Sequence, residues 1–257
     1  MAVSGTTLFA RYAYPPNELG YCGPGDASVL LGRDSPGSSR GAEQAIARHA
    51  RQFEGAWPYL EIIASAAQIA DPLDVRVVEA YWIGNDLLDA VDPDTLVARL
   101  QERFVGQAGA SWVPGPPHHS FHVFAVYPWV GLLKRGAGLD GGGNGVALSV
   151  LEQCRIRWGE VVAVEGERAR VRSRPLVLRD GLLGLGPLRE ETAAWSVDGS
   201  SLLSVAAVGG PAPVCVGDRV AMHWDWVCDV LTAGQVEQLQ ARTADQLERT
   251  NAALAQR

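Results

Sequence analysis

Up to about residue 135 the apolar positions recur at helical steps, and the breaks between them carry helix-start chemistry. Ala42 to Gly55 predicts a first helix, and Pro58 begins a second through Tyr59, Ile62, Ile63 and Ala66. Asp71-Pro72-Leu73-Asp74 reads as a cap with a proline in the first turn, opening a helix through Val75, Val78, Trp82 and Leu87. Asp92-Pro93-Asp94 repeats the signal before Leu96, Leu100 and Phe104, which share one helical face. Both acidic clusters are therefore expected to be caps and not metal or acid/base sites. Before these helices, Tyr14-Pro15-Pro16-Asn17 and Cys22-Gly23-Pro24-Gly25 predict an irregular opening, and Arg33 to Gly41 a loop.

Past residue 145 the period changes from helical to strand-like. Ile156, Trp158, Val162 and Val164, then Ala169 and Val171, flank Glu165-Gly166-Glu167 as a β-hairpin. Further strands are expected around Arg174 to Leu178, Ala193 to Val197, Leu202 to Val208 and Arg219 to His223. Several short strands in succession predict a small β-barrel. Val236, Leu239 and Leu247 then predict a closing amphipathic helix over Thr232 to Leu254. The fold class is α+β: a mostly helical part (1–135), a glycine-rich linker (136–145) and a small OB-like β-barrel with a C-terminal helix (146–257). The linker has six glycines in ten residues. Its Gly136-Ala137-Gly138-Leu139-Asp140-Gly141 has the spacing of a dinucleotide loop but lacks the strand and helix such a loop needs.

Composition narrows the function. With 47% hydrophobic residues the chain can bury a sizeable core, and a net charge of -7 gives it no general attraction to nucleic acid or anionic lipid. The longest mostly apolar stretch, Phe121 to Leu133, contains His122 and Pro128 and is too short to span a bilayer. Without a secretory pattern at Met1-Ala2-Val3-Ser4-Gly5, a cytoplasmic location is expected. The four cysteines, Cys22, Cys154, Cys215 and Cys228, form no Cys-x-x-Cys pair, so a structural zinc site is not expected.

Two elements of the C-terminal half stand in a meaningful order. Cys154-Arg155-Ile156-Arg157-Trp158-Gly159 runs into Glu160-Val161-Val162-Ala163-Val164-Glu165-Gly166, and Gly217-Asp218-Arg219-Val220-Ala221-Met222-His223 follows downstream. This order resembles the HypC/HupF family of nickel-iron hydrogenase maturation chaperones, over roughly Cys154 to Leu247, with Asp229 to Leu247 as the family's acidic helix. The family's cysteine opens its chain, whereas Cys154 is internal, and Trp158 stands where the family has proline. The resemblance implies an OB-like barrel and a non-catalytic accessory role. It also implies a transient hold on iron carrying cyanide and carbonyl ligands, and partnership with the hydrogenase large-subunit precursor and other maturation proteins. By carry-over Cys154 is the candidate iron ligand and His223 a second ligand or tuning group; a thiolate is a soft donor that can be exchanged between partners.

Nothing in that family accounts for the helical part. Its most suggestive stretch is Pro117-His118-His119-Ser120-Phe121-His122, where His118 and His122 stand four apart and would share a helical face able to hold a metal. Completing such a site needs Glu54, Glu61, Asp86 or Cys22 to converge on it. A metal-dependent enzyme built on these histidines, or an interaction scaffold without iron chemistry, are the alternative functions. The aromatic clusters Phe53 to Tyr59 and Tyr81 to Asp86 are expected to pack between helices.

Overall fold

The computed structural model describes residues 3–32, 39–104, 112–136, 142–196, 201–204 and 214–255. The helical part comprises α1 (Gly5–Glu18), α2 (Ser39–Ala50), α3 (Trp57–Ala66), α4 (Val75–Trp82), α5 (Pro93–Arg103), the short α6 (His119–Phe121), α7 (Trp129–Gly136) and α8 (Gly142–Cys154). A π-turn, His122–Val126, continues α6. The cap expected at Asp92 is in place, its side chain accepting the Thr95 amide at 2.8 Å with Pro93 behind it, but the other start lies three residues later than expected: Asp74, not Asp71, caps α4 by accepting the Arg76 amide at 3.0 Å, and Pro72 stands before the helix.

Three more expectations need correction here. The opening is not irregular: α1 runs through Pro15 and Pro16 in its last turn, and the Tyr12 carbonyl that Pro16 leaves without an amide is met by His223 instead. The residues 142–145 assigned to a linker begin α8, held by packing of α7 and α8 on each other; residues 137–141 lie outside the described residues. Asp229 is not helical but sits in a strand, and the closing helix α9 (Ala233–Ala255) starts after Thr232, whose hydroxyl accepts the Gln235 amide at 3.3 Å.

The strands are β1 (Arg157–Glu165), β2 (Arg168–Ser173), β3 (Leu176–Arg179), β4 (Leu182–Leu185), β5 (Arg189–Ala194), β6 (Arg219–His223) and β7 (Trp226–Val230). Five of them follow round in the order β1-β2-β5-β7-β6 and back to β1, a Greek-key barrel of OB type. The seam between β5 and β7 rests on one parallel pair, Ala194 with Trp226. Val161, Ala169, Val171, Ala193, Val220, Met222 and Val227 fill the interior. Gly159 is the position where β1 passes nearest to β2: a Cβ there would stand 2.6 Å from the Arg172 carbonyl oxygen. β3 and β4 form a separate hairpin pinned to α9 by two bonds between Leu183 and Asn251. Of the strand expected at Leu202 to Val208, Leu202–Ser204 is a 3-10 turn and the rest lies outside the described residues.

The largest core crosses from one part to the other. Phe9, Tyr12, Tyr59, Ile63, Val78 and Trp82 from the helices share it with Ile156, Ala221, Trp226, Cys228 and Leu239. Arg11 of α1 reinforces the junction, donating to Asp229 of β7 at 2.7 Å and to the carbonyls of Leu202 and Leu203. No helix among the described residues is long and apolar enough to cross a membrane.

Candidate functional site

The junction holds a cavity of about 240 Å³, partly open to solvent, against the roughly 10–15 Å³ that one water requires. Residues far apart in sequence meet on it: Cys22, Tyr81, Trp82, His119, His122, Tyr127, Cys154 and His223. Among the described residues no Asp, Glu, Lys or Arg lines it.

Cys154 is the last residue of α8, three before β1 begins. Buried Arg157 fixes that helix end, donating to the Glu152 carbonyl at 3.0 Å and to the carbonyl of Trp224. The Trp224 amide in turn donates to the Gln153 carbonyl at 3.0 Å, which sets the β6–β7 turn and its neighbour His223 against Cys154. Burial pushes the Cys154 thiol up to about 12, with a second rise from the nearby Cys22. The Cys22 thiol is pushed up to about 12 by burial alone. Both thiols are therefore protonated at neutral pH.

His223 closes β6. Pro16 has no amide to give to the carbonyl four residues back, and that freed carbonyl, of Tyr12, lies 2.7 Å from His223 Nδ1. Nδ1 must donate there, so the neutral ring carries its lone pair on Nε2. A proline in α1 thus sets the tautomer of a histidine in the barrel. Burial holds His223 well below the usual imidazole range, and neighbouring His119 adds to this.

His119 Nε2 donates to the Cys154 carbonyl at 2.9 Å, and its Nδ1 stands 3.1 Å from the Tyr81 hydroxyl. Its ring is 5.2 Å from that of His223, and Trp82 lies 4.5 Å and 5.7 Å from the two rings. Burial takes His119 down to about 4 and His122 to about 3, so these rings stay neutral. His122, on the π-turn, meets the Tyr59 hydroxyl at 2.9 Å through Nδ1, and its Nε2 is buried without a partner. Single π-turns recur at functional sites.

Of the residues singled out by sequence, the structure brings Cys154, His223 and His122 to one cavity. His118 does not line it: its Nδ1 caps α6, accepting the Ser120 amide at 3.2 Å, so the pair four apart is not a shared ligand face. Glu54, Glu61 and Asp86 are exposed, and Glu61 accepts from Trp57 Nε1 at 2.7 Å. Among the described residues no three His, Cys, Asp or Glu side chains group closely enough to hold a metal ion. Sequence reasoning missed His119 and gave Cys22 only a passing place. Cys22 sits on the loop after α1, where Asn17 donates to its carbonyl at 2.9 Å and to that of Pro24 at 2.6 Å. Beside it Tyr21 stacks on Trp224 at 4.1 Å, so the loop is clamped to the barrel over the cavity.

The fold and site define an OB-type barrel fused to a helical layer, with an uncharged thiol-and-imidazole cavity between them. The whole chain, residues 1–257, matches a family described as of unknown function, DUF6390, and belongs to it. Neither a curated protein nor a solved structure matches the chain.

Proposed function

We propose that this protein is a non-catalytic accessory factor of nickel-iron hydrogenase maturation in the cytoplasm. It would hold iron already bearing cyanide and carbonyl ligands for delivery to the large-subunit precursor. The observation that carries the reading is that Cys154 and His223, the two residues carried over from the HypC/HupF resemblance, line the same cavity. Cys154 would supply a thiolate, its proton lost on binding iron, and His223 an imidazole with its lone pair on Nε2.

The electrostatics suit this cargo. A bare dication entering a cavity without carboxylates would meet no fixed counter-charge, which is costly in a low-dielectric interior. Iron(II) whose charge is offset by cyanide anions avoids that cost. Cargo that brings its own ligands also needs only one or two protein donors, in keeping with donors that do not cluster in threes among the described residues.

The test is an infrared spectrum of the protein purified anaerobically from a hydrogenase-competent host, beside Cys154→Ala. Cyanide and carbonyl bands present in the first and lost in the second are expected. Their absence from both samples, with both folded, would overturn the reading and favour an interaction scaffold.

A further inference from the structure

The barrel carries a second concavity, which shares no residue with the cavity at the junction. It is a groove of about 720 Å³ between β1, β2, β6, the end of β4 and α9, within the roughly 300–1,000 Å³ of sites that hold a ligand. Part of its lining is apolar: Trp158 of β1 is half-buried, Val236 and Leu247 of α9 are buried, and Leu188 is 57% exposed. An apolar side chain left that open beside an apolar groove marks a surface that another molecule can cover.

Three arginines, Arg172, Arg174 and Arg219, line the same groove, and their pairing is incomplete. Arg172 reaches Glu190 at 3.7 Å, a carboxylate it shares with Arg170 at 3.3 Å. Arg174 donates to the neutral Gly186 carbonyl at 3.0 Å. Arg219 is exposed and has no side-chain partner among the described residues. Glu160 and Glu237 also line the groove, but among the described residues neither comes within ion-pair distance of an arginine. The strand extends the pattern beyond the groove. Alternate residues of β2 face the same way, so Arg168, Arg170 and Arg172 stand in one exposed row about 6.6 Å apart, and Arg174 follows at the next alternate position. A chain of net charge -7 thus gathers basic side chains on this one face.

Apolar surface beside guanidinium groups that lack carboxylates of their own fits an extended protein segment with an apolar residue flanked by carboxylates. The guanidinium fork matches a carboxylate in shape and charge, and the apolar lining takes the hydrophobic residue between. Single-stranded nucleic acid fits less well, because it needs successive aromatic platforms and Trp158 is the only aromatic side chain on the groove among the described residues.

We infer that this groove is a docking site for an acidic, partly apolar segment of a partner protein, with Arg172, Arg174 and Arg219 holding its carboxylates and Trp158 and Leu188 its apolar residue. The inference goes beyond the carrier reading and does not rest on it: the groove needs no cargo, and either proposal can fail alone.

The experiment selects random phage-displayed peptides on the full-length protein and remakes the enriched sequences as fluorescein-labelled peptides for anisotropy titration. Enrichment of aspartate and glutamate beside leucine, phenylalanine or tryptophan is expected, with binding that weakens as salt is raised. Arg219→Glu and Leu188→Ser, both at exposed positions, should each weaken binding about tenfold or more with Tm unchanged, whereas Arg48→Glu, exposed on α2, should bind as wild type does. Enrichment of basic or purely apolar sequences, no enrichment at all, or affinities unmoved by Arg219→Glu and Leu188→Ser would overturn the inference. Binding of a labelled oligouridylate in place of any peptide, lost in Arg219→Glu, would overturn it in favour of a nucleic-acid surface.

Discussion

Acidification should unfold this protein at a pH where most globular proteins are still stable. Burial puts His118 at about 3, His119 at about 4 and His122 at about 3, against 6.5 for an exposed imidazole. In each case the folded value is the lower one, so the unfolded chain takes up protons first as pH falls. Stability is full above about pH 6.5 and is lost progressively from there down to the folded values. At pH 5 each ring sits 1.5 pH units below its unfolded pKa, which at ~1.4 kcal/mol per unit costs ~2 kcal/mol, or ~6 kcal/mol for the three. His223 acts in the same direction. Asp229 opposes it, since burial raises its carboxyl despite Arg11, and its protonation favours the folded state. A total stability of about 5–15 kcal/mol leaves little after such a loss. Urea unfolding followed by tryptophan fluorescence at pH 8 and pH 5 measures it directly. His118→Gln, which cannot titrate, should lose less between the two conditions, by up to ~2 kcal/mol. A wild-type difference under about 2 kcal/mol would refute the argument, because it would mean that the folded protein protonates these rings as readily as the unfolded chain.

Replacing Arg11 by Met leaves half-buried Asp229 without its cation and should cost about 1.5–3 kcal/mol at pH 8. The deficit should shrink toward pH 5 as Asp229 takes up a proton; equal deficits at both pH values would contradict that origin. Pro16→Ala returns an amide to the Tyr12 carbonyl in competition with His223, so the nitrogen spectrum of His223 should change from one tautomer to a mixture, and an unchanged spectrum counts against the assignment. Exposed Cys215 should react with a maleimide far faster than Cys22, Cys154 and Cys228, and Asn17→Ala, which frees the loop, should speed Cys22 alone. Expressed by itself, 146–257 would expose Ile156, Ala221, Trp226 and Leu239; we expect it to bind a hydrophobic dye or aggregate, and a well-folded monomer would argue against a shared core.

The parts of the fold that could be read in advance are those whose signals are local. Asp92 caps a helix because its side chain reaches an amide three residues on, Asp71-Pro72 marked the start of α4 to within three residues, and the Glu165-Gly166-Glu167 turn joins two strands of alternating pattern. Helix α1 was hidden by Pro15 and Pro16, which weigh against a helix in any local reading although only its last turn bears them. Helix α8 was hidden by the glycines of residues 142–145, where packing against α7 outweighs poor propensity. At the site, the motif order pointed to Cys154 and His223 because both lie in the barrel part. Cys22 and His119 join them only through tertiary packing. The one local signal for Cys22 was its setting, a cysteine opening the turn Cys22-Gly23-Pro24-Gly25.

The cavity's histidines share one principle of construction: each is oriented by an element other than its own. His223 of β6 is set by the Tyr12 carbonyl that Pro16 frees in α1, His119 of α6 by the Cys154 carbonyl at the end of α8, and His122 by the Tyr59 hydroxyl of α3. Burial keeps all three rings neutral and both thiols protonated, so these side chains place no charge on the cavity that the interior would have to solvate. A thiol becomes a thiolate when a cation arrives, and its released proton must leave through a wall that carries no carboxylate. The loop bearing Cys22, tied down by Asn17 and by Tyr21 on Trp224, is the part of that wall with an exposed side chain over the cavity. If the cavity takes the cargo proposed above, loading and proton release should share that loop as their route, and Asn17→Ala, which frees it, should speed both.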